Sequence, residues 1–340
     1  MSVAATDDPT REPAPLAPTS PLQSDLGLAA LTKSRTPRFN LVGIALIHVG
    51  AVMALFVHGR RIDWAICGAM YLLRMFGITA GYHRYFSHRA FKATRPFQFF
   101  LGFIGVLATQ KGPLWWSAKH RHHHRHSDEP TDLHSPIRSG FWHAHIGWIL
   151  SSKHEHFEPR EVKDLWKYPE LRFLEKWNVA IVLGYVLAAF AIGGLRGLCI
   201  WYCLSTFLVM HATFSINSLT HVFGRRVYAT TDDSRNSFIL ALATLGEGWH
   251  NNHHRYPGSA RQGFVWWQID PSYYALRICA WLGLVSDLHP VPARVIEEGR
   301  RAQPPTFAEV RAALEAKMTA RIEAVQAQTR TYAGSPADAE

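Results

Sequence analysis

The chain has 340 residues, 48% of them hydrophobic, with a formal net charge of +10 and 20 histidines. That length holds one large or two ordinary domains. A basic balance can mean nucleic acid, but no nucleic-acid module is visible and the basic residues flank apolar segments, so no nucleic-acid partner is expected. Cationic flanks on membrane segments account for the charge better. The four cysteines (Cys67, Cys199, Cys203, Cys279) form no C-x-x-C pair and lie in apolar surroundings, which points away from disulfides and cysteine ligands.

Residues 1–37 are rich in Pro, Ala, Ser and Thr without apolar periodicity, the composition of a disordered tail. The opening MSVAATDDP lacks a basic and then apolar leader, so no cleaved signal peptide is expected. Four segments (39–57, 64–82, 177–195 and 198–217) have the length and apolarity to cross a bilayer of ~30 Å, which needs about 20 helical residues. The connections 59–63 and 193–197 allow only tight antiparallel hairpins. The spacing therefore predicts an all-α integral membrane protein with four transmembrane helices in two hairpins. Both termini and the region between the hairpins then share one face. Arg84, Arg89, Lys92 and Arg95 after the second span assign that face to the cytoplasm. A fifth apolar run, 97–110, would rise only ~21 Å as a helix. It is expected at the interface or inside the cytoplasmic cap.

Histidines crowd that cap. His120, His123 and His124 sit at i, i+3 and i+4 in HRHHHRHSD (120–128) and share one helical face. The same H-x-x-H-H spacing returns as His250, His253 and His254 in GEGWHNNHH (246–254). His83 and His88 in HRYFSHR (83–89) are five apart, so a helix end or local irregularity must bring them together. His221 lies one turn after Asn217 at the end of the fourth span. Imidazole binds iron, copper or zinc. Nine histidines exceed the ligand set of one ion and suit two. Few carboxylates accompany them, unlike the Glu and Glu-x-x-His pattern of soluble di-iron bundles.

These boxes, with NSLTH (217–221) and DLHSPIRSGFWHAHIGW (132–148), resemble the integral-membrane fatty acid desaturases, in the acyl-CoA Δ9 (stearoyl-CoA-type) branch, from about residue 40 to 290. The resemblance implies a domain at 38–290 holding two irons. One iron takes His83, His88, His120, His124 and His253. The other takes His123, His221, His250 and His254, with Asn217 contributing through a water. It implies O2-dependent insertion of a cis double bond, at the Δ9 position of a saturated C16–C18 acyl chain. Asp128, Asp132 and Glu247 are candidates to hold the far ring nitrogens or to act as counter-ions. No haem module, ferredoxin-like cysteine set, or flavin or nicotinamide glycine motif is visible. Two electrons must come from a separate donor, whether a ferredoxin, a cytochrome b5-like protein or a reductase, and a basic cap suits an acidic one.

Trp116, Trp148 and Trp249 are candidates to line an apolar tunnel. Animal acyl-CoA members carry cations where this chain has Ala118, Ser152 and Lys153. The carrier therefore stays open between coenzyme A and a lipid, with Lys153, Arg121 and Lys119 as candidate contacts. Residues 290–305 read as a linker and 307–329 as a charged amphipathic helix, within a C-terminal region 291–340. The alternatives are a related di-iron membrane hydroxylase and, from a different class, a membrane metal-binding or transport protein. The boxes lie outside the spans, where a transport path would not place them.

Overall fold

The computed structural model describes residues 37–302 and Thr319. The expected N-terminal tail and the helix expected at 307–329 fall outside these residues, apart from Pro37 and Thr319.

Helix α1 (Pro37–Met53) opens on a proline, whose fixed φ and missing N–H suit the first turn. Helix α2 (Arg61–Phe76) has Asp63 in its first turn, accepting from the Arg60 backbone N–H at 2.8 Å. It runs on as a π-helix, Gly77–Ser87. Helix α3 (Arg95–Leu107) lies against this π segment, with Gly77 on Gly105 and Gly81 on Leu101. It is the fifth apolar run, and its inner face is buried.

Helix α4 (Pro113–His126) presents the second histidine box. Its first turn leaves backbone N–H groups without helical partners. Leu114 and Trp115 donate theirs to the buried Glu175 carboxylate at 2.8 and 3.1 Å. After a short helix α5 (Phe141–His145) comes α6 (Pro169–Arg196), which supplies Glu175. The chain reverses inside α6 at Gly194, which has φ +58°, a left-handed conformation that glycine adopts without penalty. The reversal lets the Tyr185 hydroxyl donate to the Trp201 carbonyl at 3.0 Å. Sixteen residues of continuous helix would hold them ~24 Å apart. A second π segment, Gly197–Leu204, leads into α7 (Ser205–Ser218).

Helices α8 (Phe238–Ala243), α9 (His250–Arg255) and α10 (Pro271–Trp281) complete the cap. One antiparallel pairing, Lys92–Ala93 with Val285–Ser286, ties the two ends of the cap together. The region expected as a linker instead contains helix α11 (Ala293–Arg301). Its Val295 is fully buried with Tyr228 and Phe264, and Glu298 pairs with Arg255 at 2.5 Å. Part of the stretch read as a linker is thus helical, with one apolar residue seated in a slot.

Two stretches, Arg61–Ser87 and Pro169–His221, are long and apolar enough to cross a membrane. The second is folded back at Gly194, so it makes two antiparallel helices. The first expected span is shorter than its apolar run: α1 ends at Met53, and 54–57 turn.

Candidate metal centre

Nine imidazoles converge between α4, α9, the π segment and the end of α7. His83, His88, His120, His124 and His253 form one group, and His123, His221, His250 and His254 the other. Within each, one nitrogen per ring lies within 4.8 Å of all the others. The π-helix solves the His83–His88 spacing. Its i→i+5 pattern, with the His88 N–H donating to the His83 carbonyl at 3.2 Å, puts residues five apart on one face. The two rings are 4.9 Å apart between centroids. On α4 the i, i+3, i+4 triplet splits, with His120 and His124 facing one group and His123 the other.

The inward nitrogens are Nε2. His83 and His253 bring theirs to 2.9 Å, His88 and His120 to 2.8 Å, His124 and His253 to 2.9 Å, and His221 and His250 to 3.1 Å. Two nitrogens each ~2.1 Å from one ion, at a right angle, would be ~3 Å apart. The donor set therefore fits metal ions. The outer nitrogens agree. His123 Nδ1 donates to Asp132 at 2.9 Å, His221 Nδ1 to Asp128 at 2.9 Å and His254 Nδ1 to Asp232 at 2.6 Å, while His83 Nδ1 contacts Glu247. A proton held on Nδ1 leaves the Nε2 lone pair pointing inward. His254 Nε2 is buried without a hydrogen-bond partner.

Burial pushes the imidazoles of His88, His120, His124, His250 and His253 well below the ordinary value, and neighbouring rings add to it. They are neutral donors at pH 7. His254 is pushed down to about 4 by burial, against the pull of Asp232. Burial lowers His123 too, but the Asp132 charge and hydrogen bond, together with Asp128 and Asp232, carry it above the ordinary value. Burial raises Asp128, but the His221 hydrogen bond and charge hold it down to about 2. Glu247 is likewise kept ionised, by His83 and Arg84 against its burial. Arg84 is itself fully buried between Glu247 and Asp270, at 3.1 and 2.9 Å.

All three carboxylates anticipated from sequence touch a histidine of the centre. Asp232 was not anticipated; it lies in the featureless TTDDS stretch and reaches His254 only through the fold. His134 and Gln262 were also missed. His134 packs against His123 with ring centroids 4.3 Å apart, and Gln262 donates to Glu247 at 2.9 Å.

An apolar cavity of about 610 Å³ abuts the first group. Trp115, Trp116, Trp148, His120, Thr213 and Asn217 are among its walls. Asn217 also lines a smaller pocket with His83, His123 and His250. Trp249 does not reach either one. It is buried with its Nε1 donating to the Ile269 carbonyl at 2.8 Å, against Phe238 and Trp267. Of the three candidate carrier contacts, Lys119 alone lines the cavity, and its Nζ donates to the His156 carbonyl. Arg121 is turned away, bound to Asp164 at 2.7 Å and to the Phe86 and Ser87 carbonyls. Lys153 is exposed outside the cavity. Asn40 and Lys111, not anticipated, do line it.

Residues 62–279 match the family model of fatty acid desaturases. The chain belongs to that family. An acyl-CoA C20 Delta5-desaturase of Anemone leveillei is 36% identical over 264 residues, covering 76% of this chain and 84% of the relative. The sn-1 stearoyl-lipid 9-desaturase of Anabaena variabilis is also 36% identical, over 267 residues, covering 77% and 97%. Delta-9 acyl-lipid desaturase 2 of Arabidopsis thaliana is 36% identical over 248 residues, covering 71% and 79%. This desaturase-family chain is an oxidoreductase of lipid metabolism whose histidine clusters are able to hold metal ions.

Proposed function

We propose that the chain is an O2-dependent fatty acyl desaturase that introduces a cis double bond at the Δ9 position of a saturated C16–C18 chain. The observation that carries this reading is the contact of the apolar cavity with His120 and Asn217, at the edge of nine converged imidazoles. Two iron ions in the two histidine groups would supply the oxidant from O2, with two electrons per turnover from a separate donor protein, to remove one hydrogen from each of two adjacent methylenes.

The chain's own residues do the rest. An unactivated alkyl chain offers no hydrogen bonds, so apolar walls and their shape must position it. Trp115 and Trp148 stack at 5.9 Å between centroids, and Trp116 stacks on His120 at 4.8 Å, which fixes the wall beside the first group. Asp128, Asp132, Asp232 and Glu247 hold protons on the outer nitrogens of His221, His123, His254 and His83 and keep those four rings aimed inward. Asn217 would face the second group through a water. The carrier is coenzyme A or a lipid, since relatives of both kinds stand at equal identity.

The membrane arrangement that goes with this reading is two hairpins, α1 with α2 and α6 with α7, with the cap and both chain ends on the cytoplasmic side. The start of α1 supports it, since Asn40 bonds Glu155 of the cap at 2.6 Å.

The test supplies the purified, iron-loaded protein with deuterated stearoyl chains, O2, reductant and a ferredoxin- or cytochrome-type donor. Mass spectrometry should find a cis-Δ9 product that requires O2. A hydroxylated product without a double bond would move the chain to the hydroxylases, and a double bond elsewhere would remove the Δ9 assignment.

A further inference from the structure

The apolar cavity is not closed on all sides. Val42, Leu46, Val49 and Met53 of α1, with Leu183 and Leu195 of α6, line it and are at the same time 42–64% exposed. On α1 these positions recur at intervals of three and four, a single stripe along the helix. Residues that face both the cavity and the outside mark an opening, and this one runs lengthwise between two apolar helices. Gly43 lies on the same stripe, and a Cβ built there would meet nothing within 4 Å.

The polar end of the cavity has little to offer a polyphosphate. Lys111 is bound to the buried Glu155 carboxylate at 2.8 Å, and Asn40 donates to the same carboxylate at 2.6 Å. Lys119 is engaged by the His156 carbonyl. Phosphates are held by unengaged Lys and Arg, and a buried carboxylate beside them opposes such binding. An ester of glycerol needs no cation.

We propose that the acyl chain enters sideways from the bilayer, still esterified to a membrane glycerolipid, through the groove between α1 and α6. This rests on the acyl desaturase reading and adds the carrier and the route. Replacing Gly43 by Phe fills the groove without meeting protein atoms at its Cβ, and it removes a helical glycine, which by itself favours the helix. Leu46→Trp obstructs the same groove independently. Gly68→Phe, at an open position on α2 away from the cavity, is the control.

The protein is reconstituted in phosphatidylcholine vesicles. Deuterated stearate is supplied either on the phospholipid or as stearoyl-CoA, without acyltransferases. Phospholipid desaturation that falls at least tenfold in Gly43→Phe and Leu46→Trp, but not in Gly68→Phe, is the expected result. Product from stearoyl-CoA alone, or phospholipid turnover indifferent to both blocking variants, overturns the portal and leaves the desaturase reading standing. Absence of product from either carrier defeats the desaturase reading. A phosphatidylcholine carrying a diazirine in its stearoyl chain then judges the portal without turnover. Photolabel on residues 40–53 and 178–195 that is lost in Gly43→Phe supports it, and no label there overturns it.

Discussion

Four carboxylates each touch the outer nitrogen of one imidazole, so removing one charge should loosen one histidine without emptying the centre. Asp232→Asn keeps the shape of the side chain that receives His254 Nδ1–H at 2.6 Å. It should cost about 10–100-fold in metal affinity or activity. Iron content after titration with a chelator measures it; an unchanged value would make Asp232 a bystander. His221→Ala should abolish double-bond formation while the protein still folds, because the ring links Asp128 to His250 and no other side chain replaces its Nε2. His154→Ala should keep activity, since Trp115 bonds only the backbone carbonyl of His154. At this scale the sequence displayed the donors but not all of their supports. Helical spacing reveals that His120, His123 and His124 share a face, because i, i+3 and i+4 are local facts. Asp232 is brought to His254 by a long-range pairing that leaves no periodic trace, and it stayed hidden.

Elements hold the rings in place by close backbone approach. A Cβ on Gly105 would lie 2.2 Å from the Tyr82 ring, next to His83. Gly105→Ala must push α3 away from the π segment, an overpacking that costs about 1–3 kcal/mol. A lower melting temperature of the solubilised protein, with reduced metal content, is the expected outcome. The π segment itself was legible only as a contradiction. A spacing of five from His83 to His88 does not fit one face of a regular helix, and an i→i+5 turn resolves it. Asp164 joins the short helix Lys163–Trp166 to α4 through Arg121 at 2.7 Å and to the end of the π segment through Arg89. Its burial raises the carboxyl, but the Arg121 hydrogen bond and both guanidinium charges hold it down to about 2. The folded value lies below the unfolded one, so the contribution is complete above pH ~4 and is lost as pH falls from ~4 to ~2. Melting temperatures across that range should drop less steeply in Asp164→Asn than in the wild type; parallel curves would show that the pair contributes nothing there.

On the scale of the whole molecule, a mostly helical chain with clustered histidines was readable from the apolar runs and the repeated H-x-x-H-H spacing, and two stretches, Arg61–Ser87 and Pro169–His221, are long and apolar enough to cross a membrane. The cavity was not. Trp249 reads as a tunnel wall because it precedes His250, yet its Nε1 is committed to the Ile269 carbonyl and the ring points away. Aromatic composition carries no direction. A prediction of two ions rests on the same geometry. Five and four imidazoles form two groups, each with a nitrogen set compact enough for one ion. His123, His124, His253 and His254 alternate between the groups along two short helices, so both groups share α4 and α9. Emptying one group would leave several buried nitrogens facing one another without a shared proton, which costs free energy at each unpaired atom. Loss of one ion should therefore weaken the hold on the other. Protein made with ample iron should contain two ions per chain, and chelation should remove them together. Elemental analysis during a chelator titration checks both points. One ion per chain at saturation would defeat the two-ion reading, and two well-separated steps of release would show that the groups act independently.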